Sequence, residues 1–245
     1  MDKQAELGNF TRSFITNVPA DLKNPLALQY RASIPRFPDE AVYIYSFKEG
    51  RMLYADGWEP IFGYRDDEIT MLDIVNMSAP KFAPFSHELN DKALQFILKQ
   101  RENLLQYSFR IELKKIHKNG TEVPVVARVG VHALEEGRPV SILGNFRVDH
   151  TLRFGNVMRY AAYGPEKNEF EEELNKTLFC SPAISDKEKD VLALLAAGYS
   201  MKEAAEKFFI SLSAVEKRIM PLYKRFNVNG LPHLISFAYD NHILP

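Results

Sequence analysis

The sequence predicts an α+β domain, a five-stranded antiparallel sheet with helices on one face, followed by an all-α domain of four helices with a helix-turn-helix. Strand-like segments rich in β-branched and aromatic residues occur on both sides of a helical part between Ala41 and Val148, whereas short, serine-capped amphipathic segments fill the last 60 residues. A chain of 245 residues is long enough for two domains of ordinary size. We expect a flanking segment at 1–36, the α+β domain at 37–151, a linker at 152–181 and the helical domain at 182–245.

Composition and charge exclude several classes of protein. Hydrophobic residues make up 46% of the chain and charged residues 26%, and the net charge is −1, so any nucleic-acid contact must use a local basic patch. The single cysteine, Cys180, excludes an internal disulfide. The first residues lack the layout of a signal peptide, and the longest apolar run, Val191–Ala197, is too short to span a bilayer. We therefore expect a cytoplasmic protein without a membrane partner.

The first segment and the hairpin after it have different patterns. A weak helical pattern covers Ala5–Ile15, and it predicts either a helix that packs on the next domain or pairs two copies, or a plain tail. Ala41–Phe47 and Arg51–Ala55 then read as two strands joined by a tight turn.

A helical part and three further strands complete the α+β domain. Short helices are predicted at Trp58–Phe62 and Leu72–Met77, and a longer one at Ser86–Glu102 with Ser86 as its cap. Turns at Asn119-Gly120 and Glu136-Gly137 separate the last strands. These strands are predicted at Tyr107–His117, Glu122–Leu134 and Val140–Val148.

Two stretches of this domain resemble the PAS family: RMLYADGWEPIFGYRDDEI near its start and YSFRIELKKIHKNGTEVPVVARV in its second half. The resemblance implies a sensor domain that holds a small molecule between the sheet and the helices. Core packing is the alternative role for each aromatic residue. The candidate pocket residues are Tyr43, Tyr45, Trp58, Phe62, Phe82, Phe96, Phe109, Val125, Ala127 and Asn145.

The residues leave the cofactor unknown. A flavin photoreceptor of the PAS type needs a reactive cysteine, and 37–151 has none. Haem needs an axial histidine, for which His87 is the one candidate. The six histidines have no metal-binding spacing, and no nucleophile elbow, P-loop or dinucleotide fingerprint occurs. We therefore expect no metal site and no enzyme activity.

The linker is predicted to begin with a helix over Arg153–Tyr163. An acidic segment, Glu166–Lys176, follows it. This segment either docks against a basic DNA-reading helix or forms a solvated linker helix.

The C-terminal domain begins with two capping boxes, Ser185 with Glu188 and Ser200 with Glu203, in which serine and glutamate satisfy the amides of a helix start. Gly198 stands where a left-handed helix stop is needed. Ser211 can cap the third helix. The apolar stripe of that helix is Val215, Ile219, Leu222 and Phe226. Short links between the helices make this a helix-turn-helix, with a generic helical bundle as the alternative.

Across Pro182–Leu244 the motifs SDKE, GYSMKEAA, IS and AV resemble the DNA-binding domain of LuxR/NarL-type transcription factors. Two features depart from that family. Glu216 replaces the usual lysine, and Pro221 falls inside the third helix, where it should kink the axis. The resemblance implies that DNA is contacted by Ser211, Ser213, Ala214, Glu216, Lys217, Arg218, Met220, Lys224 and Arg225.

The last helix offers Leu234, Ile235 and Ala238 for dimerisation, although core packing would produce the same stripe. Together the two resemblances predict a transcription regulator. Its expected partners are double-stranded DNA, a second copy of the chain, and a small-molecule ligand or a protein of the transcription machinery. The alternative is a PAS-based interaction module whose helix-turn-helix no longer reads DNA, which Glu216 and Pro221 motivate.

Overall fold

A computed structural model describes residues 8–152, 154, 159–178, 184–226, 228–240 and 243–244. The chain forms two compact units. The first comprises Met1–Leu152 and Tyr160–Leu178, and the second comprises Arg153–Arg159 and Phe179–Pro245.

An antiparallel sheet with strand order β2-β1-β5-β4-β3-β6 is the centre of the first unit. Its strands are β1 (Glu40–Ser46), β2 (Arg51–Asp56), β3 (Ser108–Ile116), β4 (Glu122–Glu135), β5 (Arg138–Val148) and β6 (Tyr160–Tyr163). The five predicted strands are confirmed within a few residues at each end, and the α+β class is confirmed.

The sixth strand, β6, is a correction, because a helix was predicted over Arg153–Tyr163. β6 pairs with β3, Ser108 lying opposite Tyr163 and Ile111 opposite Tyr160. Its side chains alternate between buried and exposed, as an edge strand requires. Arg153 and residues 155–158 of the predicted helix lie outside the described residues.

Among the described residues, six helices accompany this sheet: α1 (Asn9–Arg12), α2 (Pro25–Ser33), α3 (Trp58–Phe62), α4 (Met71–Asn76), α5 (Ala83–Lys99) and α6 (Lys167–Leu178), and a 3-10 turn covers Leu104–Gln106. The α5 helix begins three residues before the predicted Ser86 cap, because Pro84 suits a first helical turn. Ser86 is buried inside the helix instead.

The N-terminal segment packs on the α+β domain, as one of the two predicted alternatives required. The buried carboxylate of Asp91 on α5 accepts hydrogen bonds from the amides of Gly8 at 3.0 Å and Thr11 at 2.7 Å. The sequence missed α2, which begins with an Asn24 cap and Pro25 at its first position. Tyr30 of α2 packs on Tyr54 of β2, so one helix also covers part of the opposite face of the sheet.

Two elements of the predicted linker, β6 and α6, belong to the first unit. Phe170 of α6 stacks on Phe96 of α5 with ring centroids 4.7 Å apart. The acidic segment Glu166–Lys176 therefore contains a helix that is anchored by an apolar ring.

The described part of the second unit contains four helices: α7 (Asp186–Ala196), α8 (Met201–Lys207), α9 (Leu212–Arg225) and α10 (Leu231–Asp240). Both predicted capping boxes are present, with Ser185 and Ser200 each accepting from the amide of the glutamate three residues on. Gly198 has the left-handed backbone angle φ of +93° that a helix stop needs. The all-α helix-turn-helix class is thus confirmed.

Among the described residues, no helix has both the length and the apolar character needed to cross a membrane. Over the same part of the chain, no three His, Cys, Asp or Glu side chains are grouped as metal ligands would be.

Candidate functional site

The α9 helix is held at its start by a cap and along its underside by the core of the second unit. The side chain of Ser211 accepts a hydrogen bond from the Ala214 amide at 3.2 Å. Val215, Ile219 and Leu222 are fully buried, and they pack against side chains of the other three helices. These contacts fix which face of α9 is turned outward.

The outward face contains most of the residues predicted to contact DNA. Leu212 is 44% exposed and Met220 is 53% exposed. Ala214 and Arg218 are half-buried at the edges of this face. The exposed members are Ser211, Ser213, Glu216, Lys217, Met220 and Lys224. An α-helix presented in this way matches the width of a DNA major groove.

Charge on this face is local and mixed. Within the part of the chain that the structure describes, no ion pair engages Lys217, Lys224 or the carboxylate of Glu216. Their charges are therefore turned to solvent, where a polyanion can meet the two lysines.

Arg225, which was predicted to contact DNA, is paired with a carboxylate of its own domain. Its guanidinium donates to the carboxylate of Glu188 at 3.2 Å, and both side chains are largely buried. Burial alone would raise the pKa of Glu188, but hydrogen bonds from Ser185 and Arg225 outweigh it and hold that pKa below its usual value. Arg225 thus ties the end of α9 to the start of α7.

The helix continues through Pro221. Because proline has no amide hydrogen, the carbonyl of Lys217 lacks its usual donor within the helix. Pro221 itself is exposed, so its ring is accommodated on the outer side of α9.

The dimerisation role predicted for Leu234 and Ala238 does not fit the structure. Both side chains are fully buried in the core of their own domain, which leaves no surface for a second copy. Ile235 is only partly buried, and Tyr239 on the same helix is 48% exposed. Core packing, the alternative, is what the structure shows for Leu234 and Ala238.

Two exposed apolar residues near α9 were missed by the sequence interpretation. Phe209 is 96% exposed and has a positive φ of 54°, so its ring projects from the turn between α8 and α9. Leu212 follows it at the start of α9.

In the first unit, two adjoining small cavities lie between the sheet and the helices, with volumes of about 50 Å³ and 30 Å³. Of the predicted pocket residues, Tyr43 and Phe109 line both cavities and Ala127 lines the smaller one. Gly144 leaves room for the Tyr43 ring, which a Cβ at that position would meet at 2.1 Å.

Most other predicted pocket residues pack in the core instead. The rings of Trp58 and Phe62 lie 5.3 Å apart, and both contact Phe146. Asn145 faces the opposite side of the sheet, where it lines an open groove of about 430 Å³. The residues that are buried without lining either cavity are Tyr45, Trp58, Phe62, Phe82, Phe96 and Val125.

Polar residues at the cavities were missed by the sequence interpretation. Thr11 and Asn90 line the larger cavity, and Ser86 and Lys115 line the smaller one. A signal for Lys115 was present, because it continues the inward-facing series of β3 that begins with Phe109.

His87, the haem candidate, is half-buried beside Gly8 rather than on a cavity wall. Burial lowers the pKa of His87, and the charges of Arg12 and Lys115 lower it further. The neutral imidazole is therefore favoured.

Comparison with known proteins concerns mainly the second unit. Residues 182–238 match the profile of the GerE family, described as bacterial regulatory proteins, luxR family. The oxygen regulatory protein NreC of Staphylococcus carnosus is 34% identical over 61 residues, which are 25% of this chain and 28% of that protein. NreC of Staphylococcus epidermidis is 33% identical over the same shares. The chain thus spans little more than a quarter of the length of these relatives.

Solved structures resemble larger parts of the chain at low identity. The Vibrio cholerae VqmA dimer without target DNA is 15% identical and has a TM-score of 0.38, covering 89% of this chain and 87% of that one. The PAS domain of a Colwellia psychrerythraea protein is 16% identical with a TM-score of 0.39, covering 51% of this chain and 98% of that one.

The profile match coincides with the four-helix unit, whose caps, turn and outward-facing α9 have been described. The C-terminal domain is therefore a luxR-family helix-turn-helix domain, and it follows an α+β domain built on a six-stranded antiparallel sheet.

Proposed function

We propose that this chain is a DNA-binding transcription regulator in which the PAS-like domain receives a signal and α9 enters the major groove of a duplex. The observation that carries the proposal is the division of α9 into two faces. One face is buried against the luxR-family core, and the other presents two unpaired lysines to solvent. A helix held in this way can enter a groove without disturbing its own domain.

Some of these residues would contribute to DNA affinity by contacting phosphates, and others would recognise the base sequence. Lys217 and Arg218 lie in the turns of α9 that would enter the groove, and Lys224 lies almost two turns further on, where it could contact a phosphate. Ser213 is an exposed hydroxyl near the start of the helix, where phosphate oxygens are commonly bound. We exclude Arg225 from the phosphate contacts because Glu188 already holds it.

We further propose a homodimer on a two-fold DNA site. Two copies of α9 would then occupy half-sites about 34–36 Å apart, one helical turn of DNA. With Leu234 and Ala238 buried, the partly exposed Ile235 and Tyr239 of α10 are the residues of that helix available for a second copy.

The salt dependence of duplex binding tests this proposal. If each of two protomers makes three or four phosphate contacts, log K should fall against log salt with a slope of about −5 to −7. Lys217→Ala should weaken binding by about 1–3 kcal/mol if the lysine reads a base, and should reduce the slope by about 1 per protomer if it binds phosphate. Fluorescence anisotropy with a labelled duplex measures both quantities.

Lys23→Ala is the matched control, because it removes the same charge from an exposed site in the first unit. It should leave affinity and slope unchanged. A slope near zero, or equal effects of the two substitutions, would contradict a groove-binding role for α9.

The second candidate function is a protein-interaction module that does not read DNA. Two observations favour it: the exposed carboxylate of Glu216 at the centre of α9, which repels phosphate, and the projecting ring of Phe209. The same titration separates the two functions, since an interaction module would show weak and sequence-independent duplex binding.

A further inference from the structure

A buried hydroxyl without a protein partner among the described residues lies at the larger cavity of the first unit. Thr11 is 7% exposed, and its hydroxyl has no hydrogen-bond partner among the described residues. Tyr43 is 1% exposed and lines both cavities. A buried polar group costs free energy unless it is hydrogen-bonded, so a cavity with such groups is suited to a polar occupant.

Lys115 is the cationic group at the smaller cavity, and it is 3% exposed. Its Nζ donates to the carbonyl oxygen of Ile74 at 2.6 Å and to the hydroxyl of Ser78 at 3.0 Å. These two bonds use two of the three donors of an ammonium group. The ring centroid of Phe146, another residue of the cavity wall, lies 5.5 Å from Nζ.

No carboxylate among the described residues forms an ion pair with Lys115. The other basic side chains nearby are the neutral His87 on α5 and Arg12 on α1, and the charges of Arg12 and Lys115 both lower the pKa of His87. Asp91 is the acid of this region, and it accepts hydrogen bonds from three amides of the N-terminal segment. Because no negative charge is paired with Lys115, burial lowers its pKa to about 7.

Cavity size limits what could supply that countercharge. A water molecule needs a cavity volume of roughly 10–15 Å³, and benzene occupies a cavity of about 150 Å³. The two cavities, at about 50 Å³ and 30 Å³, share five wall residues: Tyr43, Met71, Asn90, Phe109 and Val129. Together they correspond to an acid of roughly three to five non-hydrogen atoms.

We propose that the two cavities form a binding site for a small aliphatic monocarboxylate, with Lys115 pairing with its carboxylate and the apolar side chains that the two cavities share holding its tail. This inference rests on the proposed sensory function of the first domain, and it adds the chemical class of the signal. The ammonium gains the acid that the fold lacks, and the tail replaces empty space between Phe109 and the helices. A hydrogen bond with a charged partner in such a site is stronger than the same bond to a neutral group.

Isosteric ligands test the charge requirement on the unaltered full-length protein. Propionate and propionamide have the same shape, and only the first carries a charge. Ligand-observed NMR titration at pH 6.5 and constant ionic strength should give a dissociation constant about 10- to 100-fold lower for propionate. Equal affinity for the two, or binding of neither, would overturn the proposal.

Lys115→Met should remove the preference for propionate over propionamide. Lys114→Met is the matched control, because Lys114 is the next residue on β3, its side chain lies on the other face of the sheet, and it pairs with Glu122. The control should bind propionate as the wild type does. Unchanged propionate binding in Lys115→Met, or an equal loss in both variants, would exclude Lys115 as the anchor.

Propionate affinity should also fall as the pH rises above 7, by up to tenfold per unit, because anion binding requires the protonated Lys115. A pH-independent affinity between 6.5 and 8.5 would contradict that coupling. Duplex binding measured on the same samples separates the two claims. If the protein binds DNA but not propionate, the proposed carboxylate site alone is refuted. If it does not bind DNA, the proposed regulator function is refuted.

Discussion

Glu216 is the residue that most distinguishes α9 from the pattern of its family, which has a lysine there. Leu212 and Met220 lie one turn before and after it on the same exposed face, so the carboxylate stands between two apolar side chains. Among base edges in the major groove, the cytosine amino group is a donor that a carboxylate can accept, and apolar side chains contact the thymine methyl. If this face enters a major groove, as proposed, we expect it to prefer a cytosine with neighbouring thymines.

We expect Glu216→Gln to change base preference rather than abolish binding. Glutamine pairs with adenine through two hydrogen bonds, so the preferred base should move from cytosine toward adenine. The shift in relative affinity should be about 1–3 kcal/mol at one position of each half-site. Competition titrations with duplexes that differ at single positions measure it, and Glu206→Gln on the exposed face of α8 is the control. An unchanged preference would show that Glu216 does not read a base.

Lys115 should make the stability of the first domain depend on pH. Below pH 7 the lysine carries its proton in both the folded and the unfolded state, so its contribution to stability is constant. Above about pH 7 the folded state releases the proton, while the unfolded state keeps it up to the ordinary pKa of 10.5. The unfolded state then binds more protons, and stability rises with pH.

Lys115→Met removes this dependence. The free energy of unfolding of the wild type relative to the variant should rise between about pH 7.5 and 10, by at most about 1.4 kcal/mol per pH unit. Urea titrations followed by the fluorescence of Trp58, which lies in the first domain, measure it. The neighbouring His87 loses its proton below this range, because its pKa is lowered. Parallel curves for the two proteins would contradict a lowered Lys115 pKa.

At the scale of elements, the predictable features were those that depend on a few neighbouring residues. The capping boxes at Ser185 and Ser200, the Ser211 cap and the stop at Gly198 are local hydrogen-bonding and backbone requirements, and all four are present. The sheet strands were predictable because their alternation reflects a half-buried surface. Element ends were less predictable, as the start of α5 before Ser86 shows.

Features that depend on distant partners were not predictable. The short strand Tyr160–Tyr163 exists because β3 offers a free edge, and nothing in the local pattern distinguishes it from a helix. Leu234 and Ala238 form the same stripe whether they face a core or a second copy, so only the packed domain decides. The cavity walls likewise depend on which aromatic rings meet, as Trp58 and Phe62 do with Phe146.

Pro221 should limit the stability of α9. Pro221→Ala restores the missing hydrogen bond to the carbonyl of Lys217 and removes the steric conflict with the preceding turn. We expect the second domain to gain about 1–3 kcal/mol in the free energy of unfolding. Thermal unfolding followed by far-ultraviolet circular dichroism measures the gain.

Pro232→Ala is the control, because Pro232 lies in the first turn of α10, where proline is tolerated. It should change stability little. A Pro221→Ala variant no more stable than the wild type would mean that α9 already accommodates the ring without cost.

At the scale of the whole molecule, the chain combines an α+β domain and a luxR-family domain, each with its own core. The net charge of −1 hides the local basic groups on α9, which explains why composition alone did not indicate DNA binding. The two proposed sites depend on different electrostatic interactions. One pairs a buried, uncompensated cation with a small acid, and the other presents exposed lysines to a polyanion.

The central claim is that the exposed face of α9 reads duplex DNA. Selection of duplexes from a random pool by the full-length protein at physiological salt tests it most directly. We predict enrichment of a two-fold symmetric sequence with half-sites one helical turn apart, and its loss in the Lys217→Ala, Met220→Ala double variant. A pool that stays random, or an enriched sequence that the double variant selects equally well, would contradict the claim.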